Sequence, residues 1–528
     1  MNRTQSWSVI LGLLLTTLAC HQFAPNERPA LIQPTSAQPT PTSAPPALSP
    51  PAPTPIPTNL PLPTPVPDSK PVVGDALIEP DDLSPYRQAM RPQFAADVET
   101  VAAAGASRYD LEVNLAVGND DAQPVTLAEI YFRLYPNLPG YGAQMTVEQV
   151  SVDDQPVEPE LTAANSALRV PLPRPLAPAE SIKLNLSFRA AVPANGAGYN
   201  IFSVTDQTIA LAGFYPAIAV YDDEGWNVEV PPPYGDATYL DVSLYQVQLT
   251  VPAAMVVTAS GSQIDRTMNG DGTKTLRLAS GPMRDFYVAM RAEFQSASEV
   301  VDGITVTSYY PPELQAGGTL ALRYAADSLR LFNEEFGPYP YAEFDIIATP
   351  TLAGGVEYPG IVVISQRLYD QEGGFFEHAT VHEVAHQWWY GLVGNDQVDE
   401  PWLDESLTNY STVFYWEKIE GREIADQVVQ NFFWGPYERA KSQGQDRPVA
   451  GAVEDFTESD YSTFVYGKGP LFFDALRREV GDDTFLAILQ TYFAAYKYRI
   501  AHPDDLLAII EQVSGQEVDP LFEKWIEQ

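Results

Sequence analysis

The chain has 528 residues, 45% of them hydrophobic and 11% aromatic, which is apolar material for two or three domains with cores of their own. Its formal charge of −39 argues against nucleic acid and anionic lipid surfaces as partners, because both would repel it. Cys20 is the single cysteine, so the chain closes no disulfide within itself.

The first segment reads as a targeting signal. Arg3 gives a positive end, residues 9–15 an apolar run, and Leu18-Ala19-Cys20 a small-residue cleavage site. The run is about half the roughly twenty residues of a membrane-spanning helix. A lone cysteine directly after such a segment resembles the lipobox of bacterial lipoproteins. That implies lipidation of Cys20 as the mature N-terminus and a membrane anchor through the lipid, although Thr17 stands where the motif prefers Leu. The other reading is an ordinary secretory signal with an incidental cysteine. Residues 34–67 are rich in Pro, Thr, Ser and Ala and carry no charge. Such a stretch favours an extended polyproline path, and at about 3.1 Å per residue it would hold a domain on the order of 100 Å from its attachment. The expected location is extracytoplasmic, on the cell surface or the periplasmic side of the membrane.

Across residues 109–294 the pattern has period two. Leu111, Val113, Leu115 and Val117 alternate with polar neighbours, as do Ile182, Leu184, Leu186 and Phe188, and then Tyr245, Val247, Leu249 and Val251. Turn signals such as Asn269-Gly270-Asp271-Gly272 separate the runs, so an antiparallel β sandwich or saddle-like sheet is expected. After residue 301 the period lengthens. Leu322, Ala326, Leu329, Phe332 and Phe336 follow a helix that Gly337-Pro338 stops, and residues 344–348 and 361–364 read as buried strands.

The chemistry concentrates in His382-Glu383-Val384-Ala385-His386. The chain has five histidines, and three of them, His378, His382 and His386, fall within nine positions. On a helix, residues four apart share a face, so both motif imidazoles reach one metal ion, with Glu383 beside them to act on water. A catalytic zinc needs a third protein ligand and one open position. Glu405, in Trp402-Leu403-Asp404-Glu405-Ser406 at the start of a second helical run, is the candidate. Zinc, one ion per chain, is preferred from the ligand types, although cobalt or manganese suits the same geometry. The alternative is a helix with two buried histidines bonded to their neighbours.

The stretch His382–Trp389, with eighteen residues between His386 and Glu405, is similar to the aminopeptidase N and leukotriene hydrolase family of gluzincin metallopeptidases. Two further segments carry the resemblance. Gly354-Gly355-Val356-Glu357-Tyr358 is similar to that family's GxMEN exopeptidase motif, with Val356 in place of Met and Tyr358-Pro359 where Asn is usual. The segment ending Tyr466-Gly467-Lys468-Gly469 is similar to its catalytic-tyrosine segment.

The N-terminal reading gives a signal at 1–19 and a lipid-anchor cysteine with linker at 20–75. The resemblance, which covers the chain from about residue 95 onward, implies an α+β multidomain fold with an amino-terminal β domain, 76–297, and a thermolysin-like α/β catalytic domain, 298–528. It implies an aminopeptidase acting on peptides with a free amino terminus through a zinc-activated water. Glu383 is then the general base, Tyr466 the donor to the oxyanion with Tyr461 in support, and Glu357 the receptor for the substrate ammonium beside Gly354 and Gly355. The family also presents an acidic or amide residue from the β domain to that amine. Asp206 or Gln207 stands in the corresponding neighbourhood, though either also reads as a turn residue. His378 and Asn409 are candidate outer partners of the metal site. The competing readings are a zinc endopeptidase, if Glu357 captures no amine, and a surface binding or scaffold protein with a peptidase-like fold.

Overall fold

The computed structural model describes residues 125–528 apart from 178, 179 and 181. The targeting segment, Cys20, the proline-rich run and the alternation at Leu111–Val117 lie outside the described residues. A β-rich amino-terminal part is followed by a largely helical carboxy-terminal part.

Alternation becomes strand wherever one face meets apolar side chains and the other meets water. Leu184–Ala191 pairs antiparallel with Gln144–Val152, with Leu184 buried and Asn185, Ser187 and Arg189 exposed. A second antiparallel sheet runs in the order Glu160–Thr162, Ala167–Leu176, Leu127–Arg133, Ala217–Ile218. Both sheets contribute to one core that includes Ile130, Phe132, Val152, Val170 and Leu184. Each such side chain contributes about 1.5–3 kcal/mol by leaving water. Tyr245, Val247, Leu249 and Val251 line the inner face of Ser243–Pro252, and Asn269–Gly272 turns the neighbouring hairpin of Ser262–Met268 and Thr273–Met283.

A five-stranded sheet organises the second part. Its order is Gln295–Val301, Ile304–Tyr310, Glu343–Thr349, Ile361–Ser365, Gly355–Val356. Ile304–Tyr310, Glu343–Thr349 and Ile361–Ser365 run parallel to one another, while Gly355–Val356 is an antiparallel edge. Parallel neighbours need a crossover, which helix α1 (Gln315–Glu335) supplies through its buried Leu322, Ala326, Leu329 and Phe332. Ile361–Ser365 is buried along its whole length, hence its unbroken apolar run.

Helix α2 (Gly374–Ala385) and helix α3 (Trp402–Ile419) lie at the centre, and nearly every residue of each is buried. Trp388 and Trp389 fix the end of α2: their indole nitrogens donate to the Gly337 carbonyl at 2.8 Å and to Ser411 Oγ at 3.0 Å. Arg284, from the β-rich part, is buried and donates to the carbonyls of Leu240, Tyr390 and Arg499, so one guanidinium joins three separated segments. Among the described residues no helix is long and apolar enough to cross a membrane.

Candidate metal centre and cleft

His382 closes the last turn of α2 and His386 caps it, so the four-residue spacing sets their imidazoles edge to face with centroids 4.7 Å apart. The first turn of α3 brings Glu405 against them. His382 Nε2 and His386 Nε2 are 3.1 Å apart, and Glu405 Oε2 lies 3.1 Å from the first and 3.3 Å from the second. The sequence-predicted ligands thus meet at one point.

The donor set fits a divalent metal. Tetrahedral zinc bonds of 2.0–2.1 Å put ligand atoms roughly 3.3 Å apart, close to the observed triangle. Tautomers agree. His386 Nδ1 lies 2.9 Å from the Trp389 carbonyl, to which it donates its proton, leaving a lone pair on Nε2. A second group, Glu357, His386 and Asp404, also has ligand atoms within 4.8 Å of one another. There, however, both Asp404 oxygens accept amide protons, from Asn395 at 2.9 Å and Gln397 at 2.8 Å.

Glu383 lies on the cleft side of α2, against the edge strand. A Cβ on Gly355 would overlap its carboxylate, so glycine is required by close approach. Gly354 lines the same cleft beside Phe375. Glu357, just past the edge strand, is buried and accepts from Gln397 Nε2 at 3.1 Å, the nitrogen that also serves Asp404. The Tyr466 hydroxyl donates to Glu405 Oε1, and its ring faces His382 at 5.8 Å. Tyr461 packs edge-on to Tyr466 at 5.7 Å. All these residues except Tyr461 and Gln397's partner Asp404 line one cleft.

The β-rich part supplies the opposite wall, and here sequence reasoning missed its residue. Asp206 and Gln207 form the turn between Phe202–Thr205 and Thr208–Leu211, where Asp206 accepts from Gln366 Nε2 at 3.0 Å, and neither lines the cleft. Asp236, from the loop after Pro231-Pro232-Pro233, lines it instead, near enough to Glu405 for their charges to interact. Burial, then Glu357 and Glu405, holds the Asp236 carboxyl well above its ordinary range. Burial, then Glu357, does the same to Glu383. Asp404 is pushed up to about 7, by burial and then by Glu405. Carboxylates crowded this closely create a strongly negative potential, which favours cations in the cleft.

A family model, the peptidase family M1 domain, matches residues 320–525. Aminopeptidase M1-B of Oryza sativa subsp. japonica is 26% identical over 304 residues, covering 54% of this chain and 34% of that protein. Aminopeptidase M1 of Arabidopsis thaliana is 27% identical over 300 residues with the same coverage. The chain therefore spans about a third of the length of these relatives. Among solved structures, an M1 zinc metallopeptidase from Deinococcus radiodurans aligns with a TM-score of 0.58 at 24% identity, covering 76% of this chain and 86% of that one. A mutant of that enzyme bound to a Tyr-Ser-Ala substrate aligns with the same TM-score over 79% of this chain and 88% of that one, at 23% identity. The structural likeness shows a shared fold. Residues 320–525 are thus similar to the peptidase family M1 domain.

Proposed function

We propose that this protein is a zinc-dependent aminopeptidase that removes amino-terminal residues from peptides. The observation that carries the proposal is the convergence in one cleft of the His382–His386–Glu405 triangle and the buried carboxylate of Glu357. The zinc-metallopeptidase relatives agree with it.

Held by His382, His386 and Glu405, zinc would supply a Lewis acid that polarises a carbonyl and acidifies water. Glu383 takes a proton from water and returns it to the departing amine, a role its raised proton affinity suits. Tyr466 donates its hydroxyl proton in a hydrogen bond to the oxyanion that develops on the substrate carbonyl. Glu357, oriented by Gln397, receives the α-ammonium in a charge-assisted hydrogen bond, with Asp236 closing the site from the β-rich wall. Gly354 and Gly355 leave the edge backbone open to the substrate chain.

In this proposal the described residues up to 297 belong to an antiparallel β sandwich or saddle and residues 298–528 form a thermolysin-like catalytic domain. The shared core of the two small sheets and the mixed sheet packed against α1 and α2 support that division. We further propose export and lipidation at Cys20, supported by the lipobox-like segment. Cys20→Ala should release the protein from the membrane fraction, and its retention there would exclude the anchor.

Aminoacyl-arylamides and amino-blocked peptides, with and without chelator, test the activity. An aminopeptidase cleaves only the unblocked set and stops on chelation. Cleavage of both sets would make it an endopeptidase, and cleavage of neither a binding protein.

A further inference from the structure

The turn that carries Tyr466 is held from outside itself. Phe464–Lys468 form a π-helical turn between the helices Glu458–Thr463 and Gly469–Val480. A π turn interrupts the regular α-helical ladder, so its carbonyls meet other donors. Two donors arrive from α3, directly after Glu405. Ser406 Oγ donates to the Val465 carbonyl at 2.6 Å, and Asn409 Nδ2 donates to the Tyr466 carbonyl at 2.7 Å.

Ser406 and Asn409 are three residues apart and buried, so one face of α3 grips two successive carbonyls. Gly469 permits the approach, since a Cβ there would overlap Ser406 Oγ. At its other end the tyrosine reaches Glu405, so a single helix fixes both its backbone and its hydroxyl. Asn409 is itself backed by His378. That imidazole stacks on Phe432 at 4.4 Å, accepts from Trp416 Nε1 on Nδ1 at 3.4 Å, and borders the Asn409 amide. Burial pushes His378 down to about 3, so it stays a neutral wall.

We propose that Ser406 and Asn409 are positioning residues that fix the Tyr466 hydroxyl relative to the substrate carbonyl by clamping the backbone of its π turn to the helix bearing Glu405. The inference rests on the catalytic role given to Tyr466 above. Because the clamp and the metal ligand share one rigid helix, the hydroxyl keeps its place relative to the metal corner. An error of about 1 Å in such a group costs on the order of a hundredfold in rate.

The test uses the full-length zinc-loaded protein and the variants Asn409→Ala, Ser406→Ala, Tyr466→Phe and Asn409→Ala with Tyr466→Phe. Asn409→Ala should lower kcat about tenfold and change KM by less than about twofold, with Ser406→Ala giving the same pattern more weakly. In the Tyr466→Phe background, Asn409→Ala should cost less than about twofold more. An undiminished loss in that background, or a loss confined to KM, overturns the proposal.

Amide hydrogen exchange across residues 464–468 reads the clamp without chemistry. It should quicken in Asn409→Ala at unchanged zinc content, and unchanged exchange overturns the proposal whatever the kinetics. Full activity in Tyr466→Phe would overturn the catalytic role of Tyr466, and the exchange result would still decide the clamp. If Asn409→Ala does not fold, Ser406→Ala decides by the same criteria.

Discussion

The carboxylate of Glu383 rests on the backbone of Gly355, with no room between them for a Cβ. Gly355 pairs with Ile364 at the edge of the five-stranded sheet, so the sheet edge sets where the proposed base stands. Gly355 has no left-handed backbone angle, so alanine fits its conformation and strains only the contact. Gly355→Ala should lower kcat about a hundredfold while zinc content stays unchanged. Unchanged kcat would mean that Glu383 does not depend on this contact.

Removing the base alone separates chemistry from metal binding. Glu383→Gln leaves the three ligand side chains in place and should retain zinc. Its kcat should fall by about 10²–10⁴-fold, the usual contribution of a general base. Zinc analysis beside initial rates checks this, and wild-type turnover would remove Glu383 from the mechanism.

The amine end predicts a different signature. Glu357→Ala should raise KM and lower kcat/KM for substrates with a free amino terminus. Gln397→Ala should do the same more weakly, because Gln397 acts by holding Glu357 at 3.1 Å. Side-by-side kinetics on free-amine and amino-blocked substrates measure it. Equal losses on both would end the exopeptidase assignment.

Much of this was legible along the chain, and the rest was not for physical reasons. Tyr245, Val247, Leu249 and Val251 announce a strand because one face is packed and the other wet. His382 and His386 announce a ligand pair because four residues are about one helical turn. Glu405 and Tyr466 were found by motif, and both reach the same corner of the cleft. Asp236 carries no such signal. It sits in an aperiodic loop, and its contact with Glu405 depends on how the β-rich wall folds back across the cleft. The acidic residue after three prolines was the only local clue. Gln397, Asp404 and the Asn409 bond to Tyr466, 57 residues away, express packing rather than periodicity.

Asp285 gives a pH prediction away from the metal corner. It is buried, accepts from the Phe286 amide at 2.6 Å, and lies 3.2 Å from the Tyr215 hydroxyl. Burial pushes its carboxyl up to about 6. The folded state then binds this proton more tightly than the unfolded chain, whose aspartates titrate near 3.9. Its contribution to stability is full below about pH 4 and is lost as pH rises through about 6, a change on the order of 3 kcal/mol. Asp285→Asn should therefore melt higher than wild type at pH 7–8, with the gap closing toward pH 4. A gap independent of pH would contradict this origin.

The most direct measurement is zinc per chain in purified wild type, Glu383→Gln and Glu405→Ala, by elemental analysis after dialysis against metal-free buffer. A site built from His382, His386 and Glu405 should hold about one zinc in the first two proteins and lose it in the third. Full zinc in Glu405→Ala, or none in wild type reconstituted with zinc, would contradict the metal centre on which the proposed chemistry depends.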